Sequence, residues 1–198
     1  MSIFFNKLSI ILDNTKGVKY KFRIIMKIYK NISGLEFIKL ERNGKMVTVK
    51  FLKLGAIVET YGGNLSAGKV RDPLAISYLG VGYLGYFDKK CEYHKRTKTL
   101  WNNMIKRCYE EGYSNCHYTT TVVCDRWLCY ENFQRDVKNL DGFDRWASGE
   151  KMNLDKDIIG DGTLYSPETC SFVTEFENKS LGKKCKKLIN GRFVAKSV

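Results

Sequence analysis

The stretch Leu154–Lys179, LDKDIIGDGTLYSPETCSFVTEFENK, decides how the chain is read. Met152 to Ile158 has the composition of a strand and ends on two acids, Asp155 and Asp157, either side of Lys156. Gly160-Asp161-Gly162 is a turn signal, and Ser166-Pro167 marks a second. Tyr165 to Val173 then brings the chain back. Thr174 with Glu177 three residues later is a capping box, which predicts a helix from Glu175 with Asn178 about one turn inside. Gly182 is placed to end that helix. Strand, turn, strand and helix make a ββα unit. A carboxylate at a strand end and an amide on the next helix can converge on one hard divalent cation, which takes oxygen donors. Taken alone, two nearby acids and an asparagine are more often a surface turn.

Upstream, Trp101, Met104, Ile105 and Cys108 fall at i, i+3, i+4 and i+7, the apolar stripe of a helix, with Asn102, Asn103, Lys106 and Arg107 on the opposite face, Lys106 and Arg107 being candidate phosphate contacts. The helical pattern begins at Thr99, and Lys89, Lys90, Lys95, Arg96 and Lys98 form a basic run just before it, with Tyr93 interleaved. Such a run suits phosphate contacts or is a solvated loop. Tyr118 to Cys124 is short and β-rich. Trp127, Tyr130, Phe133 and Val137 then recur at helical spacing, which predicts a second amphipathic helix whose aromatic residues belong to a core. Downstream, residues 183–198 read as a basic tail, with Lys183, Lys184, Lys186 and Lys187 as further phosphate-binding candidates.

Residues 1–80 read as a small, basic, β-rich domain. Met46–Leu54 alternates, with Val47, Val49 and Phe51 on one face. Glu36–Leu40, Phe22–Ile28 and Ile57–Tyr61 are further strand candidates, and Arg42-Asn-Gly-Lys45 carries a hairpin turn. Short strands and tight turns suggest a small barrel or curled sheet. Gly80-Val-Gly-Tyr-Leu-Gly85 lacks the Lys-Ser/Thr of a phosphate loop and reads as a linker, with a domain boundary between residues 73 and 90.

Thirty-four Lys and Arg against 21 Asp and Glu give the 198-residue chain a net charge of +13, with a pI near 9.4. That excess favours a polyanionic partner, nucleic acid before an anionic membrane surface. The 43% hydrophobic and 13% aromatic content suffices for a packed core and excludes a disordered chain. No run reaches the roughly 18 apolar residues of a membrane span, and the start of the chain lacks the pattern of a signal peptide. The expected location is therefore the cytoplasm. Seven cysteines without a CxxC pair fit reduced thiols. Cys108, Cys116, Cys124, Cys129 and Cys170 offer a structural Zn2+ as a second metal reading, without the spacing that marks such sites; Cys108 and Cys170 lie among apolar residues, as core cysteines do.

Leu154-Asp-Lys-Asp-Ile158, Thr169-Cys-Ser-Phe-Val-Thr174 and Glu177-Asn178 together resemble the ββα-metal (HNH) endonucleases, specifically the basic free-standing or homing-type proteins of bacteriophages. Leu100-Trp-Asn-Asn-Met-Ile-Lys-Arg-Cys-Tyr109 and Val123-Cys-Asp-Arg-Trp127 look like the helical preamble of a phage subgroup, so the resemblance covers residues 80–180. It implies an α+β protein, with a small N-terminal β-domain, a helical segment and an HNH-like nuclease domain over residues 81–182. It implies a single Mg2+ or Mn2+ held by Asn178 and by Asp155 or Asp157, and hydrolysis of duplex DNA in a bacterial host cell. The family's general base is a histidine, and its position falls here on Lys156 or Asp157. The chain has two histidines, His94 and His117, both outside this stretch. His117, folding in from the preceding segment, is the other candidate base. The rival expectation is a catalytically impaired HNH-derived protein that binds DNA or a host partner. An RNA-binding protein is a third, without an RRM or KH motif to support it.

Overall fold

The computed structural model describes residues 27–112 and 120–180, and the chain divides into two compact units, Met1–Ala75 and Ile76–Val198. The protein is α+β: a four-stranded antiparallel sheet comes first and helices follow.

In the first unit, β1 (Ile28–Lys30), β2 (Glu36–Asn43), β3 (Met46–Phe51) and β4 (Ile57–Tyr61) pair in sequence order as a meander, before a short helix α1 (Gly62–Ser66). The alternation expected in β3 is present: Val47, Val49 and Phe51 are buried, with Phe37, Ala56 and Val70 around them. The hairpin between β2 and β3 closes on the pair Asn43–Met46, leaving Gly44 and Lys45 as its loop. Gly44 has φ +57°, at the position where a two-residue hairpin loop favours glycine. The sheet is open among the described residues, with β1 and β4 as its edges, rather than closed into a barrel. Most of the strand expected at Phe22–Ile28 lies outside the described residues.

In the second unit, α2 (His94–Tyr109) lays Trp101, Met104 and Ile105 on a core shared with Trp127, Tyr130, Phe133 and Val137. The single helix expected through Trp127–Val137 is instead α3 (Asp125–Leu128), α4 (Tyr130–Asp136) and a 3-10 turn at Val137–Asn139. The break is at Cys129, whose backbone is extended and bridges Tyr83. Tyr83 N–H donates to Leu128 O at 3.0 Å, and Tyr130 and Glu131 N–H donate to Tyr83 O and Leu84 O at 2.9 and 3.0 Å.

The glycine-dense segment expected as a linker is therefore a packed part of this unit. A Cβ on Gly82 would meet the Trp101 ring at 2.7 Å, and one on Gly85 would meet Glu131 at 2.6 Å. Gly82 and Gly85 are glycine because the Trp101 indole and the side chains of Glu131 and Cys129 leave no room for a Cβ. The boundary between units falls before it, at residues 75–76.

The chain continues through α5 (Phe143–Ala147), β6 (Met152–Asp155), β7 (Leu164–Tyr165) and β8 (Ser171–Thr174). β6 and β8 pair antiparallel, from Met152–Thr174 to Asp155–Ser171. β7 pairs in parallel with β5 (Val122–Val123). Residues 175–180, labelled α6, are helical directly after β8. Leu154 and Phe172 face the core, with Phe172 stacked on Trp146 at 5.0 Å.

Candidate functional site

The strand expected over Met152–Ile158 stops at Asp155. The reason is local. Asp155 Oδ2 accepts the backbone N–H groups of Asp157 and Ile158, each at 2.9 Å, an Asx-type capture that turns the chain out of the sheet. Both bonds fall on Oδ2, and no hydrogen bond to Oδ1 occurs among the described residues. Asp155 is 4% exposed. Burial pushes its carboxyl above the usual carboxylate range, helped by the charge of Asp157, while the two N–H bonds and Lys156 act in the opposite direction.

Lys156 is also buried, and its ammonium donates to Asp157 Oδ1 at 2.7 Å. It lies over the Tyr165 ring, 5.5 Å from the centroid, and close enough to Cys108 and Cys170 to act on both thiols electrostatically. The Asp157 side chain is 48% exposed. Gly162 makes room for it: this glycine has φ +82°, and a Cβ there would lie 2.5 Å from Asp157 Oδ1. The glycine turn thus does more than reverse the chain. It gives the Asp157 carboxylate its place beside the buried ammonium.

The capping box forms as expected. Glu177 Oε2 accepts Thr174 N–H at 2.7 Å and the Thr174 hydroxyl at 2.8 Å, and Glu177 N–H donates to Thr174 Oγ1 at 3.2 Å. Asn178 follows, half-buried in α6. Asp155, Lys156 and Asp157 are thus gathered at one end of the β6–β8 pair, and α6 starts from the other end. His117 lies outside the described residues, as do Cys116, Lys183, Lys184, Lys186, Lys187 and Gly182. His94 is a strut: its Nδ1 lies 3.0 Å from the Tyr130 hydroxyl, and its ring stacks on Phe87 at 5.0 Å.

The basic residues separate into groups. Lys89, Lys90 and Lys95 are exposed. Arg96 is committed to the fold, with its guanidinium 4.1 Å from the Trp146 ring centroid and donating to Trp146 O and Ala147 O at 2.7 and 3.2 Å. Lys98 sits over Trp101 and Tyr130, 3.8 and 4.4 Å from the ring centroids. Burial pushes its ammonium down to about 8, against the attraction of two ring faces for the cation. Lys106 pairs with Glu110 at 3.5 Å. Arg107 donates to the Tyr165 hydroxyl at 3.5 Å, so the C-terminal part of α2 and Lys156 meet at the same tyrosine. Neither Tyr165 nor the steric role of Gly162 was signalled by sequence spacing: Tyr165 reaches its place through the long-range parallel β5–β7 pairing, whereas Gly162 meets Asp157 within the same turn.

Among the described residues no group of three or more His, Cys, Asp or Glu is arranged to hold a metal. Burial pushes Cys108 up to about 11 and Cys170 up to about 12, and raises Cys124. Zinc requires the thiolate, which this burial disfavours.

No family model matches the chain, and neither a curated protein nor a solved structure matches it.

Proposed function

We propose that the protein is a metal-dependent DNA endonuclease of the phage HNH type, hydrolysing phosphodiester bonds in duplex DNA. The observation that carries this reading is a local order of elements. β6 pairs with β8, α6 opens directly afterwards on the Thr174–Glu177 box, Asp155 stands at the far end of β6, and Asn178 lies in the first turn of α6. Asp155, Ser171 and Val173 share the sheet face opposite Leu154 and Phe172 and are buried, whereas Asn153 on the same face is exposed. Alternation along paired strands puts them on that face, and α6 is the adjacent element that would cover it. The reading requires α6 to fold back over the pair, so that Asn178 reaches Asp155.

The donor set suits Mg2+ or Mn2+. Both are hard cations, and Mg2+ commonly binds one or two carboxylates and keeps several waters. Asp155 Oδ1 and the Asn178 amide oxygen would hold the ion, which supplies Lewis-acid stabilisation of charge on the leaving oxygen. Lys156 and Arg107, meeting at Tyr165, place positive charge beside the scissile phosphate. Asp157, anchored by Lys156 and open to solvent, orients the attacking water and accepts its proton.

A second reading has one observation in its favour. The position of the family's base carries a buried, ion-paired Lys156 and an exposed carboxylate in place of an imidazole, which fits a nuclease-derived protein that binds DNA without cutting it. Incubation of supercoiled plasmid with Mg2+ or Mn2+ separates the two. Nicking that chelation abolishes supports the endonuclease. Salt-sensitive plasmid binding without nicking supports the second reading.

A further inference from the structure

Helix α2 presents two unlike faces. Thr97, Trp101, Met104 and Ile105 are buried, whereas Lys95, Arg96, Thr99 and Asn103 are exposed. At 100° per residue, Thr99 and Asn103 lie near the middle of the outward face, with Lys95 and Lys106 along one side of them. No acidic residue occurs in the helix. An open groove runs beside this face, lined by Lys95, Arg96, Thr99, Leu100, Asn103 and Trp146. Arg96, clamped on Trp146 and on two carbonyls of α5, fixes how the helix stands on the domain. Sixteen residues extend about 24 Å, enough to lie along a major groove.

We infer that the outward face of α2 enters the major groove of duplex DNA, with Asn103 and Thr99 against base edges and Lys95 on a phosphate. This rests on the nucleic-acid reading above and goes beyond it by separating residues that read from residues that only hold. An asparagine amide pairs with adenine N6 and N7, and a threonine offers a hydroxyl and a methyl group. Side chains of this kind can reach base edges while a flanking lysine reaches a phosphate; phosphate contacts position and base contacts specify. Charge complementarity selects the occupant: the face carries Lys95, and Lys106 ion-paired with Glu110 at the helix end, on a chain of net charge +13. Arg96 and Lys98, which sequence alone places among the phosphate-binding residues, are assigned to packing. The Tyr165 corner, where Arg107 and Lys156 meet, then receives the backbone of the same duplex.

The test is selection of binding sites from a pool of random-sequence duplexes by the full-length protein, followed by affinity measurements over a salt series. Wild type should enrich a sequence. Asn103→Ala and Thr99→Ala, both exposed and with melting temperatures checked against wild type, should lower the preference for that sequence roughly tenfold while keeping non-specific affinity. Lys95→Ala should weaken all duplexes alike and lower the salt slope by about one. Lys138→Ala, an exposed lysine off this face, should change neither. Wild type that enriches a sequence which the Asn103 and Thr99 variants enrich equally well overturns this inference and leaves the endonuclease reading standing. Wild type that binds duplexes with no preference overturns it too. Wild type that binds anionic vesicles but no duplex overturns both.

Discussion

Asp155 does two jobs that its substitutions can separate. Its Oδ2 holds the turn through the N–H groups of Asp157 and Ile158, and its charge is the candidate cation ligand. Asn at this position keeps an acceptor for the turn and loses the charge. Burial raises the folded-state pKa of Asp155, so between the unfolded and folded values the native state binds more protons than the unfolded one, and stability from this group falls as pH rises through that window. Asp155→Asn is therefore expected to melt higher than wild type at neutral pH, with the difference shrinking as the pH is lowered through the carboxylate range. Mn2+ or Mg2+ should raise the melting temperature of wild type by mass action and leave the variant unmoved. A metal-induced shift of equal size in both would remove Asp155 from the metal site. Gly162 gives a second residue-scale prediction. Gly162→Ala incurs about 1–2 kcal/mol from its left-handed backbone and also drives Asp157 Oδ1 from its place. Gly112→Ala has a similar φ and open space around it, so it should lose comparable stability in denaturant titrations and keep full activity.

At the scale of elements, patterns set by near neighbours were legible and patterns set by distant partners were not. The β3 alternation, the α2 stripe and the Thr174–Glu177 box depend on residues a few positions apart, and all three form as read. The break at Cys129 depends on Tyr83, far away in sequence, and Gly82 is glycine because Trp101 lies on it. The β6 strand ended early because a side chain, Asp155, competed with the sheet for the backbone. Of the candidate site, the acids and the capped helix could be read from spacing; the pairing of buried Lys156 with the exposed Asp157 carboxylate, and its Tyr165 neighbour, could not. The capping box invites a direct test. Thr174→Ala should cost about 1 kcal/mol, seen as a lower midpoint in denaturant, and should reduce cleavage because α6 carries Asn178. An unchanged midpoint would mean that the box does not hold the helix start.

At the scale of the whole molecule, a net charge of +13 and the exposed Lys95 on α2 are what the proposed function would use to draw a phosphodiester toward the β6–β8 end. Binding to duplex DNA should fall steeply between low and physiological salt, because every phosphate that a lysine or arginine neutralises has released a counterion, and added salt opposes that release. A flat salt series would remove nucleic acid as the partner. The central claim is that Asp155 and Asn178 hold a cation that cuts DNA. Its most direct measurement is the nicking rate of supercoiled plasmid in Mn2+ for wild type, Asp155→Asn and Asn178→Ala, with plasmid binding measured in parallel. Nicking by wild type, a loss of about a hundredfold or more in both variants and unchanged binding are the expected results. Equal nicking by all three, or none by wild type with any divalent cation, would contradict the account.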